Sequence, residues 1–513
     1  MANEVLINVG AGETRVAVVG DGRLDEIYIE RTAGMGEGEG GGRAGHSVLG
    51  NIVLGRVQRV LPAMQAAFVD IGLDKAGFLG AKEARCLADL PGFGEGLPPI
   101  TDCVREGEAI LTQVIKDPIG DKGARLSANV TIAGRLLILV PNQRGVALSR
   151  RIEDEAERDR LSQIVSSFEG KEGILPKAGY IVRTVAIGAG EAELREDAER
   201  LAISWAELEA KKKGARVPST IFCDLDPVAR ALRDCVGQDT DAVIIDDATA
   251  LEEARAYCAE AMPEVLPKLH LFEGGDLFED KGVEAELEAL LHPRVALSCG
   301  GWITIEGTEA LVAIDVNSGS FTASSGLEET SFRINQDAAA EIGRQLRLRA
   351  IGGLVVIDFI HQGDPENVAR VLQTLALSLG KDRVPTQISP MSEFGLVELT
   401  RKRVRDPISK FLTEPVRGLL SGGRIKTVAT VANEFLRRIE AEARANPGRT
   451  MNCVAHGDVA TWISDEPVLL RRLRERIGAR FRIVAREGWP RDRFEVSVEA
   501  PRAVAPAAAN AAQ

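Results

Sequence analysis

The sequence predicts a multidomain protein of the α+β class, and three observations support that expectation. At 513 residues the chain exceeds what one hydrophobic core organises, so roughly three to five units of ordinary domain size are expected. Glycine-punctuated strand patterns and charged helix patterns both occur, without any internal repeat. Residues 33–45, AGMGEGEGGGRAG, hold too little apolar surface to pack and read as a flexible connector at a boundary.

Before that connector, EVLINVG, TRVAVVG and LDEIYIE alternate apolar and polar residues between glycines, which predicts an opening β-meander. Residues 46–128 carry further short strands, among them NIVLGRVQRV, AAFVDIG, KAGFLG and AILTQVIK, whose spacing suggests a small β-barrel. The Gly- and Pro-rich LPGFGEGLPPIT at 90–101 reads as an insertion in one barrel connection. From 129 to 222 a strand-like RLLILVPN, a charged helix over 152–168, the strand GYIVRTV and a long helix near 191–213 form an α+β unit. The strands TDAVIIDD and PKLHLFEG, separated by a helix around 248–260, need a sheet to join. If they join the opening meander, residues 46–222 are an insertion in a discontinuous domain. Residues 293–412 contain GGWITIEG and EALVAIDVN joined by a hairpin-like GTE, then a helix at about 332–350 and the strand LVVIDFI. The region 424–500 reads helix, strand, helix, strand, strand, and the tail PRAVAPAAANAAQ is expected to be disordered.

Composition narrows the function classes. With 45% hydrophobic and 27% charged residues and no apolar run of bilayer length, the chain reads as soluble, and its amino terminus lacks the pattern of a secretory signal. The seven cysteines contain no CxxC pair, which suits a reducing compartment and disfavours a cysteine zinc site. A net charge of −13 offers a polyanion no overall attraction, so nucleic acid would have to be gripped locally. Two basic runs, Arg344, Arg347 and Arg349, and Arg401, Lys402, Arg403 and Arg405, read as solvated helix faces rather than binding sites.

The most informative chemistry lies in ALVAIDVNSG (310–319) and LVVIDFI (354–360). Alternation along a strand puts Asp315 and Asn317 on one face and Ile314 and Val316 on the other. Asp358 ends a second apolar strand, and an intervening helix would let that strand return to the same sheet. Two carboxylates beside an amide make a hard oxygen site suited to magnesium, which polarises phosphoryl oxygens and acidifies water. Phosphodiester hydrolysis is the natural candidate. The competing reading is a polar turn after one strand and a paired acid on another.

Four weaker signals accompany it. Phe68 and Phe78 are two of few aromatics, in a chain with 15 Phe, 4 Trp and 3 Tyr. On an OB-type barrel they would stack single-stranded bases, with Lys122 holding phosphate, although the residues alone favour a place in the barrel core and a solvated turn lysine. Arg183 and Thr184 offer a guanidinium and a hydroxyl to a phosphate, against the commoner pairing of a strand-end Arg with a surface acid. Ser149, Arg150 and Arg151 are equally open. Of the five histidines, only His361 lies near a candidate acid, and it otherwise reads as a partly exposed strand end.

Taken in order, these segments resemble the bacterial RNase E/G family of endoribonucleases over about residues 1–412 and more loosely to 500. The runs that carry the resemblance are ERTAG, GRVQRVLPAMQAAFVDIGLDKAGFLG, VREGEAILTQVIKD, GDKGARLSANVTIAGRLLILVPN, LSRRIED, IVRTV, GGWITIEGTEALVAIDVNSG, EIGRQLRLRAIGGLVVIDFI and SEFGLVELTRKR. The resemblance implies an RNase H-like unit (1–45 with its linker, and 223–292) interrupted by an OB-type RNA-binding barrel (46–128) and a 5′-sensor unit (129–222). A DNase I-like catalytic unit (293–412), a linker (413–423), a small domain (424–500) and the tail (501–513) follow. It further implies that Asp315 and Asp358 hold Mg2+ with Asn317 in support, that Phe68, Phe78 and Lys122 contact RNA, and that Arg183 and Thr184, with backbone near Ile138, receive a 5′ monophosphate. A cytoplasmic homo-oligomer, dimer or higher, is the expected assembly, with single-stranded RNA as partner and no membrane.

Departures from the family pattern matter as well. Where the family carries CPxC and two protomers share zinc, this chain has TEPVRGLLSGG, with Pro415 but no cysteine, so shared zinc is not expected. His361 stands where a third acid is often found, Ser320 replaces a basic residue, and Pro385 stands where another cation is common. With no long acidic and Arg-rich tail, the chain resembles the shorter RNase G-like type. An RNA-binding scaffold without turnover and a phosphoesterase of small esters are the rival readings.

Overall fold

The computed structural model describes residues 3–31, 48–87, 97–116, 118, 123–168, 170–171, 174–175, 178–237, 239–319, 326–416, 423–478 and 480–498. The opening strands β1 (Asn3–Val9), β2 (Glu13–Gly20) and β3 (Arg23–Arg31) form the antiparallel meander. β4 (Ile52–Leu61), β5 (Ala66–Asp70), β6 (Gly77–Gly80), β7 (Ala109–Lys116) and β8 (Arg125–Ser127) close into a five-stranded barrel, because β4 pairs with both β5 and β7. Its interior is filled by alternate residues such as Val57, Val69, Leu79, Ile110 and Leu126. Of the connection read as an insertion, residues 90–96 lie outside the described part, and Ile100–Cys103 forms a short helix.

The next sheet contains β9 (Ile132–Ala133), β10 (Leu137–Val140), β11 (Gly145–Leu148) and β12 (Gly179–Val182). It packs against α1 (Glu155–Ser166) and α2 (Glu191–Gly214), whose Leu161, Val165, Leu194 and Leu201 share one core with Leu137, Leu139 and Val182. α1 begins where the Asp154 carboxylate accepts from the Ala156 N–H at 3.0 Å. The chain then adds β13 (Ser219–Phe222) to the barrel edge at β4. After α3 (Pro227–Cys235), β14 (Ala242–Ile245) pairs parallel to β1, and after α4 (Ala248–Ala261), β15 (Leu269–Leu271) pairs parallel to β14. The first sheet therefore runs β15-β14-β1-β2-β3, built from segments on both sides of the barrel. Its inner strands are buried on both faces, Val5 and Ile7 against α3 and α4 and Leu6 against Leu277, Phe278 and Leu287, so β1 and β2 carry short continuous apolar runs, VLI and VAVV, where alternation was expected.

The third large sheet has the order β16 (Arg294–Ala296), β17 (Trp302–Gly307), β18 (Leu311–Asn317), β19 (Gly353–Asp358), β21 (Leu396–Arg401) and β20 (Thr386–Ile388). One face packs Ile303, Ile314, Val316, Val355, Ile357 and Leu399 beneath α5 (Leu327–Leu348) and α6 (Pro365–Gly380). Its other face carries exposed Glu306, Ala313, Asp315, Leu354, Asp358, Glu398 and Thr400, so each strand alternates between the two environments. Beyond it, β22 (Thr413–Pro415) begins the segment that lacks cysteines and pairs with β23 (Arg424–Lys426), which follows that segment. The carboxy-terminal part comprises α7 (Val428–Ala445), β24 (Met451–His456), α8 (Gly457–Ser464), α9 (Pro467–Ile477), β25 (Phe481–Arg486) and β26 (Phe494–Val498). Where one helix was expected between its strands there are two, because Pro467 fits only the first turn of a new helix.

The basic runs match the expectation of solvated faces only in part: Lys402, Arg403 and Arg405 are exposed. Arg344, Arg347, Arg349 and Arg401 are buried. The Arg344 Nε donates to the Leu24 carbonyl at 2.8 Å and its guanidinium also pairs with Glu286 and Glu341, tying α5 to the first sheet. Arg349 donates to the Gln345 side chain and the Leu290 carbonyl, and burial pulls its pKa down to about 10. Arg401 of β21 pairs with Asp382, buried in the turn after α6, and Arg405 lies over the Tyr28 ring. Arg344 and Arg347 fasten α5 to its neighbours, because that helix packs between the first and third sheets and a guanidinium buried there must pair with carbonyls and acids. Among the described residues no helix is long and apolar enough to cross a membrane.

Candidate functional site

On the open face of the third sheet, the parallel pairing of β18 with β19 sets Asp315 directly opposite Asp358. Residues opposed across a ladder share a face, about 4.8 Å apart strand to strand. Both side chains are exposed, on a sheet whose other face is core. The Asn317 Nδ2 donates to the Asp315 Oδ2 at 2.7 Å, a bond that orients this exposed carboxylate. A tight turn follows: Gly319 has φ +61, and an added Cβ there would stand 2.8 Å from the Gly300 carbonyl and 2.9 Å from the Trp302 ring. Thr304 flanks Asp315 in the same row, and Leu396 flanks Asp358. Among the described residues no group of three or more His, Cys, Asp or Glu side chains converges as a metal cage. Two carboxylates with an amide fit magnesium, which keeps waters and needs few protein ligands. Ser320 lies outside the described residues. His361 is exposed just beyond β19.

Sequence reasoning missed the residue that holds the end of β19. Asn335 of α5 is fully buried, accepts the Ile360 N–H at 3.0 Å and donates to the Ile360 carbonyl at 2.7 Å. This clamp fixes the backbone two residues after Asp358. Asn335→Ala leaves both Ile360 groups unpaired at a cost of about 1–3 kcal/mol each. It is expected to raise amide exchange around residue 360 and to lower RNA cleavage at unchanged RNA affinity, read by hydrogen–deuterium exchange and single-turnover rates. An unaltered exchange profile would show that the clamp is not what holds this segment.

On the barrel, register places four side chains in one row across β4, β5, β6 and β8: Arg59 opposite Phe68, Phe68 opposite Phe78, and Phe78 opposite Arg125. The two arginines are exposed and the two rings half-buried. The rings meet edge to face with centroids 6.1 Å apart. Phe68 and Phe78 thus lie outside the interior formed by Val57, Val69 and Leu79, contrary to the core placement that composition favoured. The reason is alternation: Ala67 and Val69, on either side of Phe68, point inward. Arg59 and Arg125 were not singled out from the sequence, since only the register shows them beside the rings. Arg125 also pairs with Glu83 at 3.1 Å. Lys122 lies outside the described residues.

The third group stands where β12 ends. Arg183 donates through NH1 to the Gly134 carbonyl and through NH2 to Asp234, both at 2.6 Å. Thr184 shares a 2.8 Å hydrogen bond with Ser149. Ile138 lies in the central strand β10, opposite Ile181 on β12 and Ala133 on β9. Asp234 of α3 also accepts from Arg233, and the guanidinium of Arg383 reaches its backbone carbonyl. Burial would push the Asp234 carboxyl up, but Arg233 and Arg183 outweigh it and hold it below its ordinary value. An acid therefore already faces Arg183, and it comes from a helix distant in sequence.

Comparisons with known proteins fit this geometry. Residues 131–404 match the Ribonuclease E/G family. Ribonuclease G of Escherichia coli (strain K12) is 39% identical over 444 residues, covering 86% of this chain and 88% of that protein. Ribonuclease G of Haemophilus influenzae is 38% identical over 504 residues, covering 97% of this chain and 99% of that protein. Ribonuclease E of Escherichia coli (strain K12) is 34% identical over 459 residues, covering 88% of this chain but 42% of that longer protein. The similarity spans both the barrel and the carboxylate-bearing sheet, and the chain belongs to the Ribonuclease E/G family.

Proposed function

We propose that the protein is a magnesium-dependent endoribonuclease that cuts single-stranded RNA during RNA processing or decay, leaving 5′-phosphate and 3′-hydroxyl ends and favouring 5′-monophosphorylated RNA. The observation that carries this reading is the parallel register opposing Asp315 to Asp358 on an exposed sheet face. When bound there, magnesium supplies electrostatic stabilisation of the reacting phosphate and lowers the pKa of water. The chain supplies the rest. Asn317 orients Asp315, and Asn335 fixes the end of the strand that bears Asp358.

Substrate grip falls to the barrel row, where Phe68 and Phe78 offer ring surface to unpaired bases and Arg59 and Arg125 offer charge to the flanking phosphates. With a net charge of −13, attraction must come from such local groups. Arg183 and Thr184, near Ile138, receive the 5′ phosphate. The phosphate would take over a charge-assisted hydrogen bond that Asp234 now makes with Arg183.

In this reading the first sheet is the RNase H-like unit, the third sheet the DNase I-like catalytic unit, and the protein a cytoplasmic homo-oligomer. The TEPVRGLLSGG segment offers no thiolate, so the assembly includes no shared zinc.

The test is cleavage of a single-stranded oligonucleotide with magnesium, using 5′-monophosphate and 5′-hydroxyl forms side by side. The expected result is internal cleavage that requires the ion and is faster for the monophosphate. Intact RNA would identify an RNA-binding scaffold without turnover, and equal rates would remove the end-sensing role of Arg183 and Thr184.

A further inference from the structure

Beyond the carboxylates, the catalytic end of the third sheet carries an aromatic ring that no buried contact explains. Phe394 is 88% exposed, more than any other large hydrophobic side chain among the described residues. It stands in the loop between β20 and β21, and that loop is rigidly built. The Gly395 N–H donates to the Ser392 carbonyl at 3.0 Å, the Ser392 N–H to the Leu396 carbonyl at 2.8 Å, and the Leu396 N–H to the Ser392 hydroxyl at 3.2 Å. Gly395 takes a left-handed φ of +81 to close the turn. At the base of the loop, Met391 packs against the sheet core. The same short loop thus buries one apolar side chain and presents another to solvent on a fixed turn.

Its position ties the ring to the carboxylates. Leu396, the first residue of β21, is the direct cross-strand partner of Asp358. Phe394 is two residues further on, at the end of the sheet where β18 and β19 deliver Asp315 and Asp358. On the opposite flank, one strand from Asp315, stands Trp302, but Arg294 covers one face of that ring at 3.8 Å from its centroid. Along the row of strands the order is therefore a cation-covered ring, the two carboxylates, and an open ring. About three strand spacings, roughly 14 Å, separate the strands that lead to the two rings.

A nucleic-acid strand whose phosphate sits at the carboxylates must put the adjoining base somewhere, and an exposed ring on a rigid turn is a stacking platform that accepts any base. We infer that Phe394 stacks on the base of a nucleotide adjoining the scissile phosphate, and so helps seat that phosphate at Asp315 and Asp358. This inference rests on the endoribonuclease reading and adds to it a substrate-positioning residue outside the barrel and the 5′-end group. A contact between copies of the chain is the competing use of such a ring. The fixed placement at the carboxylate end of the sheet favours RNA.

The experiment compares wild type, F394A and F394W on a short single-stranded RNA with one cleavage position, intact or with an abasic ribose at either nucleotide adjoining it. Stacking predicts that F394A lowers kcat/KM by about tenfold on intact RNA. It also predicts that one abasic placement costs the wild type a similar factor, that this placement costs F394A nothing further, and that F394W restores both the rate and the sensitivity. The inference is overturned if F394A cuts intact RNA as fast as wild type, or if the abasic penalty is the same in both proteins. Sedimentation velocity supplies the remaining arm: a smaller assembly in F394A would assign the ring to a contact between copies. A wild type that leaves the RNA uncut instead removes the endoribonuclease reading, and the inference with it, so the two failures are told apart by the wild-type lane.

Discussion

Asp315→Asn is expected to lower RNA cleavage by about 10³-fold or more while leaving RNA affinity within about twofold. The size follows from the role. A divalent cation contributes several kcal/mol to a phosphoryl reaction, and each 1.36 kcal/mol of barrier is tenfold in rate. An amide in place of one of only two carboxylates removes half of the anionic charge that would hold the cation. The side chain is exposed at a strand end, so the replacement should shift stability by no more than about 0.5 kcal/mol. Asp358→Asn is expected to match it, and the double variant to be scarcely slower than either single one, because groups serving one ion act as a unit. Single-turnover rates with saturating protein, alongside equilibrium binding, separate chemistry from affinity. A D315N protein that cuts at the wild-type rate would exclude the assignment.

Removing both rings from the barrel row has the second large effect, on binding rather than chemistry. Each base stacked on an aromatic contributes about 1–3 kcal/mol, so Phe68→Ala with Phe78→Ala should weaken single-stranded RNA binding by about 100-fold. Saturating protein should recover most of the cleavage rate. Both rings are half-buried on the outer surface, while the interior is held by other residues such as Val57, Val69 and Leu79, so the barrel itself is expected to survive. The neighbouring cations separate charge from stacking. Arg59→Gln should make the dependence of log affinity on log salt shallower by about 0.7, the value of one phosphate contact on a single strand. Unchanged affinity in the double variant would return both rings to a structural role.

Alternation and strand composition made much of the fold legible. The apolar runs that end in Asp315 and Asp358 are strands, and the intervening helix is α5. The hairpin at GTE and the long helix over 191–214 also follow local rules. Local rules do not encode register. That Asp315 faces Asp358, or that Arg59 and Arg125 bracket two rings, depends on how distant strands align.

Burial of polar groups was equally opaque. Asn335 reads as an ordinary helix residue until it meets the Ile360 backbone. Arg344 reads as solvated until the first sheet is placed beside α5, and Arg349 until it meets the Leu290 carbonyl. Asp234 became visible only when α3 brought it to Arg183. In each case the deciding partner lies far along the chain, beyond any pattern of neighbouring residues.

The central claim is that Asp315 and Asp358 share one divalent cation, and anomalous diffraction from crystals soaked in manganese tests it most directly. Manganese favours the same octahedral oxygen environment as magnesium and can be located by its scattering. The account predicts a single strong peak about 2.0–2.2 Å from a carboxylate oxygen of each aspartate, absent from D358N crystals treated in the same way. A peak bound to only one of the two, or carboxylates turned apart with the ion held elsewhere on the chain, would contradict it.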